Sequence, residues 1–119
     1  MNKKELQKII KNLNEEETII YNILKEGYEN RISKGFVAGM TGIKERKFKS
    51  IIKSLRFKGV PVCSQTTRGG GYWIEWDKKN FGKFVFEQKI EVEGYQKSLN
   101  KLIDIYKSLR GKDSNELFI

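Results

Sequence analysis

The central motif lies at residues 33–58, SKGFVAGMTGIKERKFKSIIKSLRFK, and it predicts a short helix, a tight glycine turn and a longer basic helix. Ser33 is a candidate cap for the short helix, because its hydroxyl suits the free N–H groups at a helix start. The longer helix, residues 44–58, has one apolar side at roughly 100° per residue, formed by Phe48, Ile51, Ile52 and Leu55. Its opposite side is cationic and polar, and Gly59-Val60-Pro61 ends it.

Two amphipathic stretches precede this motif. Residues 5–13 carry apolar side chains at helical spacing, namely Leu6, Ile9, Ile10 and Leu13. Asn14, a capping residue, then precedes three glutamates that favour the positive end of a helix dipole. The helix that follows has a buried stripe formed by Ile19, Ile20, Ile23 and Leu24, and Gly27 is its natural end. The spacing leaves open whether residues 3–26 form one kinked helix or two.

A β-hairpin is predicted after the basic helix. Its strands are the runs 60–64 and 71–76, and its loop is the polar, glycine-rich segment 65–70. The second run carries aromatic residues that strands favour, and we expect them in the core rather than on a base-stacking surface: Tyr72, Trp73 and Trp76. Cys63 is expected to be a small buried or half-buried residue.

The segment 77–110 predicts a long C-terminal helix capped by Asp77. Its apolar side chains recur at steps of four and three residues, the heptad spacing of helices that pair along a seam. We expect a homodimer through this seam, formed by Val85, Val92, Tyr95, Leu99, Leu102, Tyr106 and Leu109. The alternative is that residues 5–13 fold back on the seam within one chain. Gly82 and Gly94 permit a bend or a break in the helix.

The charge of the chain is concentrated in one segment. The 119 residues carry 24 Lys and Arg against 15 Asp and Glu, a formal net charge of +9. Residues 31–70 account for that excess, since they hold ten basic residues and one acid, Glu45, whereas the other segments nearly balance. A charge that serves solubility would be spread out, so we expect a surface that faces a polyanion. The alternative is a solvated lysine-rich face.

The composition excludes several chemistries. The chain has no His and one Cys, which rules out histidine-dependent catalysis, zinc sites that need His, an intrachain disulfide and an all-cysteine cluster. Gly69-Gly70-Gly71 lacks the Lys-Ser/Thr pair of a phosphate-binding loop. No apolar run reaches about 18 residues, and the start is amphipathic, so we expect no membrane span and no signal peptide. We therefore expect a cytoplasmic protein that is not an enzyme and has no cofactor, metal or small-molecule ligand.

The order of elements resembles the winged helix-turn-helix of DNA-binding proteins: helix, helix, glycine turn, basic helix and two-stranded hairpin. The resemblance is carried by Ala38, Gly42, Phe48 and Ile51 and by the run Arg68-Gly69-Gly70-Gly71-Tyr72. It covers roughly residues 15–77 and is closest to small winged-helix proteins of bacteriophages and prophages of Gram-positive bacteria. It implies that Gly42 takes the left-handed turn conformation and that residues 44–58 form a recognition helix, which lies in the major groove.

Two positions depart from the family's pattern. Lys44 stands where such proteins place a capping Ser or Thr. Either it is kept for a phosphate contact, or the helix begins a residue or two earlier and is capped by Thr41. Phe48 is bulkier than the usual aliphatic residue, which alters the packing and not the role.

We therefore predict a mainly α fold with a small β-hairpin wing (α+β). A winged helix-turn-helix domain spans residues 1–76 with its basic face at 31–70, a dimerisation helix spans 77–110, and a flexible tail spans 111–119. The candidate DNA-binding residues are Lys44, Arg46, Lys47, Lys49, Ser50 and Lys53 on the basic helix and Gln65, Thr66, Thr67 and Arg68 at the tip of the wing. Arg46 is the best candidate for reading bases, because Arg makes bidentate hydrogen bonds to guanine, whereas Lys more often meets phosphates.

The predicted function is sequence-specific binding of double-stranded DNA. The resemblance implies a phage or prophage transcriptional regulator or a DNA replication accessory protein. Two alternatives stay open. One is a protein-interaction adaptor whose basic helix docks an acidic partner, and the other is a replication initiator component that prefers single-stranded DNA.

Overall fold

The computed structural model describes residues 2–109. In this part of the chain the elements are α1 (Lys3–Lys11), α2 (Glu15–Ile23), a 3-10 turn (Tyr28–Asn30), α3 (Lys34–Thr41), α4 (Glu45–Phe57), β1 (Val62–Gln65), β2 (Gly71–Ile74) and α5 (Lys78–Ser108). The mainly helical fold with a small hairpin and a long C-terminal helix is thereby confirmed. The chain divides into two units, the first ending at Phe81 and the second beginning at Gly82. Arg110 and the predicted tail 111–119 lie outside the described residues.

Asn14 separates α1 from α2. Its side-chain Oδ1 accepts a hydrogen bond from the Glu17 N–H at 2.8 Å, and its own N–H donates to Glu17 Oε1 at 2.8 Å. This reciprocal pair satisfies N–H groups that the start of a helix leaves free. Residues 3–26 therefore form two helices, and the predicted capping role of Asn14 is confirmed.

The turn between α3 and α4 depends on Gly42. Its φ of +71° lies in the left-handed region, which costs Gly little and other residues more. The Thr41 hydroxyl donates to the Val37 carbonyl at 2.7 Å and accepts from the Ile43 N–H at 3.0 Å, so it closes the end of α3. Because α4 begins only at Glu45, the alternative of an earlier start capped by Thr41 is wrong, and Lys44 occupies the cap position without a side-chain hydrogen bond.

The core of the first unit lies along one side of α4. The predicted apolar stripe of this helix is buried, and α2, α3 and the hairpin supply side chains that complete the cluster. The buried members are Ile20, Leu24, Val37, Phe48, Ile51, Ile52, Leu55, Val60, Val62 and Ile74. Full burial stabilises each such side chain by about 1.5–3 kcal/mol. The burial of one side of α4 therefore determines that its opposite side meets solvent.

The aromatic residues of β2 pack within the protein. Tyr72 and Trp76 are half-buried against the core, and the Tyr72 ring meets Phe48 edge-on with the centroids 4.8 Å apart. Trp73, which points to the other face of the hairpin, is buried against Tyr28 with the centroids 5.1 Å apart. The expected core role of these rings is confirmed.

β1 and β2 pair antiparallel, with Val62 opposite Ile74 and Gln65 opposite Gly71. The first strand begins later than the predicted residue 60. The reason is that the Val60 N–H donates to the Leu55 carbonyl at 3.0 Å, so Val60 is still hydrogen-bonded to the last turn of α4.

The segment before α3 bonds to the outer edge of β2, a pairing that the sequence did not predict. Ile32 and Tyr72 exchange two backbone hydrogen bonds of 2.9 and 2.8 Å. Ile74 donates its N–H to the Lys25 carbonyl at 2.9 Å and accepts from the Gly27 N–H at 3.0 Å. β2 therefore has bonded neighbours on both sides, which covers its edge and ties the hairpin to the connection between α2 and α3.

Helix α5 begins at the predicted cap, because Asp77 Oδ2 accepts from the Asn80 N–H at 3.0 Å. It continues without interruption through Gly82 and Gly94 to Ser108. None of its residues is buried, and the predicted seam side chains are exposed except that of Tyr106, which is half-buried. Among the described helices, none combines the length and the apolar character that crossing a membrane requires.

Glu17 is the one buried charged residue in the described part of the chain, with 1% of its surface exposed. Besides the Asn14 N–H, its carboxylate accepts hydrogen bonds from Ser54 Oγ and Lys58 Nζ at the end of α4. Lys58 also donates to the Asn12 carbonyl at 3.0 Å. Burial acts to raise the pKa of Glu17, but the Asn14 N–H, Lys58 and Ser54 outweigh it and hold the pKa below its ordinary value of 4.5.

We expect the substitution Glu17→Gln to lower the free energy of unfolding by about 3 kcal/mol near neutral pH, because it leaves Lys58 without its buried partner. Since the folded state lowers the pKa of Glu17, its carboxylate stabilises the fold above its ordinary pKa, and this contribution is lost as the pH falls below it. The difference in the free energy of unfolding between the variant and the unaltered protein, measured by urea unfolding, therefore shrinks as the pH falls from about 6 to about 3.

The matched control is Glu15→Gln, which removes an exposed carboxylate from the same helix turn and changes stability by less than about 0.5 kcal/mol. A Glu17→Gln protein as stable as the unaltered one near neutral pH contradicts the role assigned to this carboxylate.

Candidate nucleic-acid interface

The side of α4 opposite the core carries a ridge of four exposed residues: Arg46, Ser50, Lys53 and Phe57. They lie within about 60° of one another at roughly 100° per residue. Arg46 and Lys53 form no ion pair with any other residue among 2–109. Phe57 is 82% exposed, more than any other large apolar side chain in the described part of the chain. The ridge thus combines two uncompensated cations, a hydroxyl and an apolar ring.

The lysines beside the ridge lie on opposite flanks. Lys47 Nζ is 3.4 Å from Glu16 Oε1, on α2. Lys49 is on the other flank and lines a groove together with residues of the hairpin. Of the two, only Lys49 therefore lies beside the hairpin.

The hairpin loop, residues 66–70, is anchored at its base. Gln65 Oε1 accepts a hydrogen bond from the Tyr28 hydroxyl at 3.0 Å, and the Gly69 carbonyl accepts from Arg31 Nε at 2.7 Å. The Arg31 guanidinium also lies 4.1 Å from the centre of the Tyr28 ring, a cation–π contact. The exposed tip is thus attached to the connection before α3 and does not depend on its own hairpin pairing alone.

Gly70 is required at its position. A Cβ there would lie 2.0 Å from the Gln65 carbonyl oxygen and 2.7 Å from the Thr67 carbonyl oxygen. Its N–H donates to that Thr67 carbonyl at 2.8 Å, which closes the turn. The backbone passes too close to itself for any side chain, so Gly70 fixes the path of the loop.

A groove of about 250 Å³ runs between the start of α3, α4 and the hairpin. Its lining consists of Ser33, Lys34, Lys49, Gln65, Thr66, Thr67, Gly69, Gly70, Gly71 and Tyr72. Outside the lining, Glu45 Oε1 lies 2.7 Å from Lys34 Nζ and 3.3 Å from Lys49 Nζ. The hydrogen bond from Lys34 lowers the pKa of Glu45, and the same bond raises the pKa of Lys34. Glu45 and Lys34 are therefore both charged at neutral pH.

Three of the ten basic residues in segment 31–70 serve the fold. Arg31 holds the hairpin loop and Lys58 holds Glu17, as described above. Arg56 donates from Nε to the Val62 carbonyl at 2.9 Å and from Nη2 to Ser64 Oγ at 3.2 Å, which attaches α4 to β1. The cationic surface is therefore smaller than the charge of the segment suggests. The remaining bases are Lys34, Lys44, Arg46, Lys47, Lys49, Lys53 and Arg68, all exposed.

All ten DNA-binding candidates predicted from the sequence are exposed. The structure brings Lys49 to the same groove as Gln65, Thr66 and Thr67, and it places Lys47 on the far flank beside Glu16.

The sequence reasoning missed two residues of this surface. Lys34 belongs to the basic segment but precedes the basic helix, so only the folded chain shows that it lines the groove. Phe57 was detectable, because it follows Arg46 by three helical turns and so falls on the same side of α4.

Cys63 is buried in β1, and this burial raises the pKa of its thiol to about 12. It is therefore a protonated thiol at neutral pH rather than a thiolate. Within residues 2–109, no group of three or more His, Cys, Asp or Glu side chains is placed to hold a metal ion.

Comparisons of the chain with known protein families, with curated proteins and with solved structures found no match.

Proposed function

We propose that the protein is a winged helix-turn-helix protein that binds double-stranded DNA in a sequence-specific manner. Helix α4 is its recognition helix, and the β1–β2 hairpin is its wing. The observation that carries the proposal is the exposed cationic ridge of α4, which lies opposite a buried apolar stripe. The left-handed turn at Gly42 supports it, because it joins α3 to α4 as the turn of a helix-turn-helix does.

The ridge and the wing divide the work of recognition. Arg46 presents a guanidinium without an ion-pair partner among the described residues, and such a group binds guanine O6 and N7 in a bidentate way. Lys44, Lys53 and Arg68 are exposed cations suited to phosphates, whose contacts position the protein without reading sequence. Affinity then comes mainly from phosphates, and sequence choice comes from Arg46 and its neighbours.

Burial of the hairpin aromatics favours duplex over single-stranded DNA as the ligand. Binding of single strands relies on exposed rings on which bases stack. Trp73 is buried, and Tyr72 is half-buried with its ring edge-on to Phe48, so the hairpin supplies no fully exposed ring on which bases could stack. Phe57 on α4 is one exposed ring on the ridge, not a series of them. The proposed role as a transcriptional regulator or a replication accessory protein rests on the resemblance of the sequence motifs alone.

DNA binding is tested with a random-sequence duplex and with sites selected from a random pool. We expect affinity for the random duplex to fall about 500-fold between about 50 and 200 mM salt, as about five phosphate contacts require. Arg46→Gln should weaken binding to the selected site by about 1–3 kcal/mol and relax preference at one base pair, whereas Lys53→Gln should weaken selected and random sites alike.

The control is Lys8→Gln, which removes an exposed cation on α1, outside the basic segment, and should leave both affinities nearly unchanged. Affinity that does not change with salt, or equal losses from Lys8→Gln and Arg46→Gln, refutes the proposed interface.

The proposal includes a homodimer formed through α5. The seam side chains of this helix lie in a heptad pattern and remain exposed, with Leu99 at 48% and Leu102 at 60%. The other candidate to cover them was α1, but its Ile9 and the following Leu13 already pack on the core of the first unit. A second copy of α5 would bury the seam and present two recognition helices to a palindromic site.

Sedimentation equilibrium tests the dimer. We expect the unaltered protein to be dimeric at tens of micromolar and the double variant Leu99→Asp, Leu102→Asp to be monomeric, because the change places carboxylates in the apolar seam. The matched control, Asn100→Asp with Ser108→Asp, adds the same charge off the seam and should remain dimeric. A monomeric unaltered protein at that concentration rules out the seam as a dimer interface.

A further inference from the structure

Glu45 has an unusual place among the charges of the basic segment. It is the only acid among residues 31–70, and its carboxylate is shared by two lysines from different helices, Lys34 and Lys49. Both lysines line the groove beside the hairpin loop, whereas Glu45 itself is outside the lining. Each of the two lysines therefore has two neighbours, the groove and the Glu45 carboxylate.

The groove has the chemistry of an anion site. Its lining combines two lysines with the hydroxyl-bearing residues Ser33, Thr66 and Thr67, and no acid is among the described residues that line it. At Gly69, where an added Cβ would meet no atom within 4 Å, the bare backbone leaves room for a ligand beside the loop. About 250 Å³ accommodates a tetrahedral oxyanion with its ester substituents. Ammonium and hydroxyl donors of this kind bind phosphate oxygens.

We propose that this groove binds one phosphodiester group of the DNA backbone and that the Glu45 carboxylate is an internal competitor for its two lysines. The inference rests on the proposed function and deepens it. In the free protein Glu45 neutralises part of the charge of Lys34 and Lys49. A phosphate that enters the groove must compete with that carboxylate for both ammonium groups, so the site binds an anion more weakly than two free lysines would.

This competition has a measurable signature in pairs of substitutions. With Glu45 present, Lys34→Gln removes a cation that is already partly neutralised, and the loss of affinity is small. In a Glu45→Gln background the same change removes a full cation from the groove, so the loss is larger. Non-additivity of this sign is expected of residues that share one network.

A matched control exists on the opposite flank of α4. Glu16 pairs with Lys47 at 3.4 Å, as Glu45 pairs with Lys34 and Lys49, but Lys47 is not part of the groove lining. The variants Glu45→Gln and Glu16→Gln raise the net charge by the same amount. A general electrostatic effect therefore acts equally in both, and only the groove separates them.

The experiment measures dissociation constants for a random-sequence duplex and for inorganic polyphosphate, at one fixed salt concentration. We expect Glu45→Gln to tighten binding about 5-fold and Glu16→Gln no more than about 2-fold. Adding Lys34→Gln and Lys49→Gln to the Glu45→Gln variant should abolish the gain in affinity. Equal effects of Glu45→Gln and Glu16→Gln, or a gain that survives loss of both lysines, overturn the proposal.

The two probes separate this inference from the proposed function. If the duplex binds and Arg46→Gln weakens it, while Glu45→Gln and Glu16→Gln act alike, the groove site is wrong and DNA binding stands. If only polyphosphate binds, with the larger gain for Glu45→Gln, the anion site stands and DNA binding falls. If no variant binds either probe, both are wrong. If Glu45→Gln fails to fold, the pair Glu45→Ala and Glu16→Ala provides the same comparison.

Discussion

The attachment of α4 to the rest of the first unit depends on the buried carboxylate of Glu17. This group accepts hydrogen bonds from the start of α2 and from Ser54 and Lys58 at the end of α4, while Lys58 also reaches the carbonyl of Asn12. A buried charge is tolerated only when hydrogen-bond donors of the protein replace the lost water. Separating Glu17 from these donors would therefore cost free energy. Together with the apolar stripe on the same helix, this network holds α4 in one orientation and turns its cationic side to solvent.

The basic residues of the central segment have two distinct uses. Arg31, Arg56 and Lys58 bind carbonyl or carboxylate oxygens of the protein itself, and they connect the hairpin and α4 to their neighbours. The exposed bases are the ones that the proposed DNA contacts use. Basic side chains therefore have two roles. Some hold the hairpin loop and α4 in place, and others form the proposed DNA contacts.

Most of the helices and turns that the sequence predicts correctly depend on signals between neighbouring residues. Capping by Asn14 and Asp77, the left-handed Gly42 and the one-sided stripe of α4 each depend on neighbouring residues, so the sequence displays them directly. The pairing of Ile32 with β2 has no periodic signal, since it consists of two hydrogen bonds between residues 40 positions apart, and it was missed. By residue type Thr41 is a candidate cap for α4, because hydroxyls favour that position, but its hydroxyl bonds within the end of α3.

The candidate site was predictable in position but not in detail. The charge count located the basic segment, and the helical spacing identified the ridge. The charge count treats Arg31 and Arg46 alike. It cannot show that Arg31 donates hydrogen bonds to the nearby Tyr28 carbonyl and to the Gly69 carbonyl in the distant hairpin loop. Likewise, the spacing of Lys34 and Glu45 along the chain carries no sign that they meet at 2.7 Å.

The most direct test of the central claim, that the exposed side of α4 and the hairpin loop form one DNA-binding surface, is NMR of the isotope-labelled protein during titration with duplex DNA. The account predicts that the largest changes in backbone amide shifts occur at residues 44–57 and 66–70, while α1 is nearly unchanged. Changes centred on α1 or α5, or none at saturating DNA, would contradict it.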